Sequence, residues 1–152
     1  SVKHLMEALP ATTKRIAVLD RTKEPGAIAE PLHMDIVHAL AEARSLGINP
    51  FATDPVVVGG RYGLSSKEFN DGMVKAVFDN LAADQPRNHF TVGIVDDVSD
   101  SSLAVDEEFD LDIAGARTHA SCNDMVSAYR QRLRSQHHWI VAVPTSERDP
   151  VT

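Results

Sequence analysis

The sequence predicts a three-layer α/β/α domain built on a small, mainly parallel sheet. Three observations lead there. Short β-branched or apolar runs recur at Arg15–Asp20, Pro55–Val58 and His89–Val95, each too apolar for an exposed edge and suited to a sheet covered on both faces. Segments with helical periodicity alternate with them, which is the β-α-β-α-β order of parallel units. The chain has 152 residues, with 43% hydrophobic and 24% charged residues, enough for one domain with a core.

In chain order, Val2, Leu5, Met6 and Leu9 fall at helical spacing and stop at Pro10. A helix starting at the first residue leads us to expect a domain incomplete at its N-terminus, its first strand and helix missing. Arg15–Asp20 follows as a buried strand, closed by turn formers Pro25 and Gly26. Pro31 suits a first helical turn, and Leu32, Ile36, Ala39, Leu40 and Ala43 make the apolar face of a helix ending near Gly47. Pro55–Val58 is the second strand, with a turn through the glycines to Gly63. Ser65 with Glu68 reads as a capping box for a helix over Ser66–Leu81, its stripe formed by Phe69, Met73, Val74, Val77, Phe78 and Leu81. His89–Val95 is the third strand and ends in Asp96-Asp97.

The composition changes beyond this point. Residues 1–112 are expected to form the domain, and 113–152 an atypical tail, poorly ordered toward its end, with a short strand at Ile140–Val143.

Net charge is −7, with no basic cluster, which argues against a nucleic-acid partner. No apolar run nears the roughly 20 residues of a membrane span, and no basic-then-apolar leader is seen. Cys122 is the single cysteine, so the chain can hold no internal disulfide and no multi-cysteine cluster. A cytoplasmic location is expected.

Each strand ends in polar residues: Arg21, Thr22, Lys23 and Glu24; then Gly59, Gly60, Arg61 and Tyr62; then Asp96 and Asp97. Parallel sheets place contact sites beyond the carboxyl ends of their strands. A candidate rim therefore comprises Arg21, Lys23, Glu24, Gly60, Arg61, Tyr62, Asp96 and Asp97, with basic Arg21, Lys23 and Arg61 facing acidic Asp96 and Asp97. It reads either as a docking surface of ion pairs or as a contact for a small anion. No nucleophile with a neighbouring base stands there, so no catalytic residue is assigned.

The glycine-rich Gly59–Gly63 stretch matches neither the phosphate-loop nor the dinucleotide pattern. His33 and His38 lie five apart, off metal-ligand pairing, and read as surface or half-buried histidines. His137-His138 reads as tail, Ser101-Ser102 has no nucleophile context, and Cys122 as an inert thiol. No metal ligand and no cofactor-binding residue is assigned.

Four blocks in order carry a wider resemblance: KRIAVLDRTKEPGA at Lys14–Ala27, GGRYGLSSKEF at Gly59–Phe69, MVKAVFD at Met73–Asp79, and NHFTVGI at Asn88–Ile94 with Asp96-Asp97-Val98. Over Val2–Phe109 the chain resembles the second core domain of the pyruvate:ferredoxin (flavodoxin) oxidoreductases. The resemblance implies a fold like the transketolase C-terminal domain. It also implies a parent enzyme that oxidatively decarboxylates pyruvate to acetyl-CoA with thiamine diphosphate, magnesium, [4Fe–4S] clusters and CoA, and passes electrons to ferredoxin or flavodoxin. None of those cofactor sites matches onto this chain. The implied role is scaffold and docking to the remaining domains, with no catalysis by the chain alone. After Phe109 the family text Tyr/Trp-Gly-Leu-Gly-x-Asp-Gly-Thr-Val is missing. Back-translation across Asp124–Leu133 permits Tyr-Gly-Leu-Gly and later Thr-Val in a shifted frame, so Arg117–Thr152 is expected to be frameshifted, which the flanking DNA would decide. The alternatives are a free-standing anion-binding module using Arg21, Lys23 and Arg61, and the same domain in a sulfite reductase or pyruvate:NADP oxidoreductase.

Overall fold

The structure is a computed structural model, describing residues 1–64, 67–94, 98–109 and the backbone of 138–142. Its elements are α1 (Val2–Ala8), β1 (Arg15–Asp20), α2 (Pro31–Ser45), β2 (Val56–Arg61), α3 (Asp71–Ala82), β3 (Phe90–Thr91) and β4 (His138–Ala142). The strands form one sheet in the order β3-β2-β1-β4, and every pairing is parallel.

β1 is the spine because both its faces are apolar. Ile16 and Val18 pack with Met6, Leu9, Ile36 and Ala43 beneath α1 and α2. Ala17 and Leu19 point the other way, onto Val74, Val77, Phe78 and Leu81 of α3. Alternate side chains of a strand face opposite sides, so a strand apolar at both parities needs helices on both. That gives the expected three layers. Arg15 opens β1 and reaches across to the α3 C-terminus, donating to the carbonyls of Leu81 and Ala83, where a cation suits the unpaired carbonyls.

Four local expectations are corrected. β2 does not stop before its glycines. It runs to Arg61, with Val18, Leu19 and Asp20 opposite Gly59, Gly60 and Arg61, because β1 is long enough to keep pairing. The turn then falls at Gly63, whose φ of +63° suits glycine. α3 starts at Asp71, not near Ser66: Asn70 is its N-cap and accepts from the Met73 N–H at 2.9 Å. Residues 67–70 are not helical, and Phe69 instead packs edge-on against Tyr62, 4.9 Å between ring centroids. Ser65 and Ser66 lie outside the described residues. β3 is two residues long, because Gly93 leaves the strand at φ +82°. Its outer edge is met by Ser101–Leu103, through a parallel bridge from Thr91 to Ser102.

Beyond residue 112, His138–Ala142 pairs in parallel with Arg15–Leu19 as β4, overlapping the strand expected at Ile140–Val143. The remainder of the tail, and with it the frameshift reading, lies outside the described residues, as does Cys122.

The Asn70 cap makes a simple test. Asn70→Ala is expected to destabilise the chain by ~1 kcal/mol, the usual cost of losing an N-cap side chain. A denaturant midpoint unchanged within error would show that the cap is dispensable.

Candidate functional site

The carboxyl ends of β1 and β2 lie side by side, Asp20 opposite Arg61. Asp20, the last residue of β1, is 3% exposed. Its carboxylate accepts from the backbone N–H groups of Leu32 (3.0 Å) and His33 (3.1 Å), the second and third residues of α2. The carboxylate thus does for α2 what an N-cap side chain does. The N-cap residue itself, Glu30, makes no side-chain cap bond and is free to turn elsewhere.

Glu30 turns into a fully buried position among three cationic or titratable partners. Its Oε2 is 3.2 Å from His89 Nδ1 and 4.0 Å from His33 Nδ1, and its Oε1 is 3.5 Å from Arg61 Nε. The two histidine rings meet edge-on, 5.6 Å between centroids. Three segments make this cluster: the N-terminus of α2, the end of β2 with Gly59 and Arg61, and the entrance to β3. A Cβ on Gly59 would stand 2.7 Å from His33 Nδ1 and 3.2 Å from Glu30 Oε2, so glycine is what leaves room for the donors. Asn88 fixes the other side, its Oδ1 accepting from both Gly59 N–H (2.7 Å) and His89 N–H (3.0 Å). His89 itself has φ +56°, a left-handed conformation uncommon outside glycine, though one that His adopts more readily than most residues.

Burial works against the Glu30 charge, but its own backbone N–H, the His89 ring and Arg61 outweigh it and hold the pKa below the ordinary carboxylate value. His33 is pushed below the ordinary imidazole value, chiefly by burial and then by His89, against the pull of Glu30 and Asp20. The cluster therefore presents an ionised carboxylate and a neutral imidazole. Glu30 Oε1, His33 Nδ1 and Arg61 Nε are buried without a hydrogen-bond partner.

The predicted rim residues divide. Arg61 belongs to the Glu30 cluster. Arg21 Nη2 donates to the Gly63 carbonyl at 3.2 Å, and its guanidinium lies 6.0 Å from the Tyr62 ring centroid. Tyr62 is buried in the α3-side core. Gly60 faces Phe90. Lys23 and Glu24 are exposed. Asp96 and Asp97 lie outside the described residues, so the acidic half of the rim has no described place.

Of the two histidines expected at the surface or half-buried, one agrees and one is revised. His38 is exposed and pairs with Glu42 at 3.6 Å. His33, one turn earlier, is neither superficial nor half-buried but 6% exposed. Sequence reading passed over Glu30 and His89 altogether. The available signal was Pro31: proline at the first helical position makes Glu30 the N-cap, and His33 is then one turn above it.

In the glycine-rich Gly59–Gly63 stretch, the space a Cβ would take is occupied at Gly60 by the Phe90 ring and at Gly63 by the Arg21 side chain. A [4Fe–4S] cluster is excluded within this chain by its one cysteine.

No family model matches the chain. Curated proteins do. The chain is 60% identical over 110 residues to a pyruvate-flavodoxin oxidoreductase of Trichormus variabilis, covering 72% of this chain and 9% of that protein. It is 62% identical over 109 residues to a pyruvate-flavodoxin oxidoreductase of a Nostoc species, covering 72% of the chain and 25% of the relative. Against a pyruvate:ferredoxin oxidoreductase of Moorella thermoacetica, identity is 57% over 110 residues, or 72% and 9% of the two lengths. The chain thus spans between 9 and 25% of the length of the first relatives it matches.

Proposed function

Because this chain is a partial domain of the pyruvate-flavodoxin and pyruvate:ferredoxin oxidoreductases, we propose that it supplies scaffold and docking surface to such an enzyme and performs no chemistry alone. The carrying observation is the combination of 57–62% identity with a span of a tenth to a quarter of the relatives. The parent reaction would be oxidative decarboxylation of pyruvate to acetyl-CoA, with electrons delivered to ferredoxin or flavodoxin. Thiamine diphosphate, magnesium and [4Fe–4S] clusters would be held by other domains, since the glycine-rich turn of this chain is filled by its own side chains. When bound there, thiamine diphosphate supplies the carbanion chemistry of decarboxylation. The residues of this chain contribute position only.

The surface agrees with docking. Ile28, in the loop after β1 beside Lys23 and Glu24, is 87% exposed, and Val98 is fully exposed. Large apolar side chains left in water suit a contact between domains. Arg21 and Arg61 are engaged internally, which favours docking over the small-anion reading.

The purified chain, given pyruvate, CoA, magnesium and thiamine diphosphate, should reduce no viologen dye. Adding the remainder of a related oxidoreductase that lacks the matching residues should restore pyruvate-dependent reduction. Turnover by the chain alone would refute the proposal, as would a remainder whose activity is indifferent to the chain.

A further inference from the structure

We propose that Glu30, His33 and His89 form a binding site for one divalent transition-metal ion, best matched by Zn²⁺. One donor atom from each residue lies within 4.8 Å of the others. Measured from Glu30 Oε2, the separations are 3.2 Å to His89 Nδ1 and 4.0 Å to His33 Nδ1. Ligands at about 2.0–2.1 Å on a tetrahedral ion stand a little over 3 Å from one another, so Glu30 Oε2 already meets that spacing with His89 and needs to close on His33 by less than an ångström, while the two histidine nitrogens start no more than 4.8 Å apart.

The chemistry of the set selects the ion. Two imidazole nitrogens with one carboxylate oxygen suit Zn²⁺, Cu²⁺ or Ni²⁺, whereas Mg²⁺ and Ca²⁺ want oxygen alone. Three protein ligands leave a fourth position for water or for a group from a docked neighbour, and His89, its side chain 43% exposed, borders the solvent side.

Independent features indicate a built site and not a chance meeting of polar groups. His33 Nδ1 is buried and has no hydrogen-bond partner, although a buried polar atom left alone is costly. Gly59 supplies a space that any Cβ would fill, within 2.7 Å of that same nitrogen. Asn88 and the left-handed backbone of His89 aim the second ring. Arg61 Nε lies 3.5 Å from Oε1, an ion pair at the carboxylate's other oxygen. The cation would thereby join the start of α2 to the entrance of β3, segments more than fifty residues apart. It would serve as a structural clasp, independent of the chemistry proposed for the parent enzyme.

The test is metal binding by the whole chain, not activity. Chain stripped with EDTA and dialysed is titrated with Zn²⁺ against a chromophoric chelator, and with Co²⁺ while visible d–d bands are followed. One equivalent is expected, with Co²⁺ bands of tetrahedral intensity. Melting temperature should rise by roughly 5–10 °C when Zn²⁺ is a hundredfold above its dissociation constant. His33→Gln and His89→Gln should each weaken binding by about tenfold or more, while His38→Gln leaves it unchanged. Circular dichroism confirms that the variants fold. Should either not fold, Zn²⁺-induced shifts of the His33 and His89 ring signals in the wild-type NMR spectrum decide instead. The proposal is overturned by a chain that binds no Zn²⁺, by undiminished binding in the folded His33 and His89 variants, or by binding that only His137→Gln with His138→Gln abolishes. A docking role refuted by the viologen assay would leave these outcomes untouched.

Discussion

Gly60→Ala is expected to destabilise the chain by ~3 kcal/mol, the upper end of the usual cost of overpacking a core. At this chain length that lowers the melting temperature by roughly 10 °C. Gly60 lies opposite Phe90 across the β2–β3 ladder, and the Phe90 ring lies over the glycine. A Cβ there would be 2.2 Å from Phe90 Cε2 and 2.3 Å from Cζ. Neither side can give easily: Phe90 is wholly buried with Val92, Tyr62 and Phe78 around it, and Gly60 is fixed by the register with Leu19. A double-mutant cycle isolates the clash. Phe90→Ala will itself be costly, but adding Gly60→Ala to it should cost far less than in the wild-type background. Equal costs in the two backgrounds would mean that the ring does not fill this space.

Asp20→Ala is the second large effect, expected at ~2–4 kcal/mol. About 0.5–2 kcal/mol is the ordinary loss of a helix cap. The rest arises because the N–H groups of Leu32 and His33 lose their acceptor, and the His33 group is buried, where an unpaired donor costs ~1–3 kcal/mol. Asp20→Asn keeps one carbonyl oxygen but offers an NH₂ to the other donor, so its cost should fall between wild type and alanine. The readout is the urea midpoint at constant m-value. If Asn proves as damaging as Ala, a single acceptor does not suffice; if Ala is harmless, the cap is not what starts α2.

How much of this was legible varies with how local its cause is. β1 and α2 could be read from residues within each segment: four consecutive apolar positions, Ile16 to Leu19, in one case, Pro31, Gly47 and a 3.6-residue stripe in the other. Gly63 as the turn was also legible, since left-handed backbone is glycine's own territory. The extension of β2 through Gly59 and Gly60 was not, because its cause is continued pairing with β1, a strand some forty residues earlier in the chain. Nor was the start of α3, where Asn70 competes with Ser65 for the capping role and only the packing of Phe69 on Tyr62 decides between them. Resemblance over four blocks identified the family where periodicity alone stopped at an α/β domain. For the candidate site, Arg61 was named from its place at the end of β2, without the partner that the structure gives it. It pairs with Glu30, a residue that no motif marks, since its burial depends on Asp20 having taken over the cap.

β1 carries one more implication. It buries side chains above and below and is hydrogen-bonded left and right, by β2 on one flank and by His138–Ala142 on the other. A strand so placed tolerates no vacancy beside it: the peptide groups of Arg15 through Leu19 would otherwise form an open seam, ready to zip onto any extended segment nearby. The identity of the strand filling that seam is less constrained than its presence, because the ladder joins backbone to backbone and reads almost nothing of sequence. The same core could therefore be finished by different stretches of polypeptide, its own or a neighbour's, without altering the helices that lean on it.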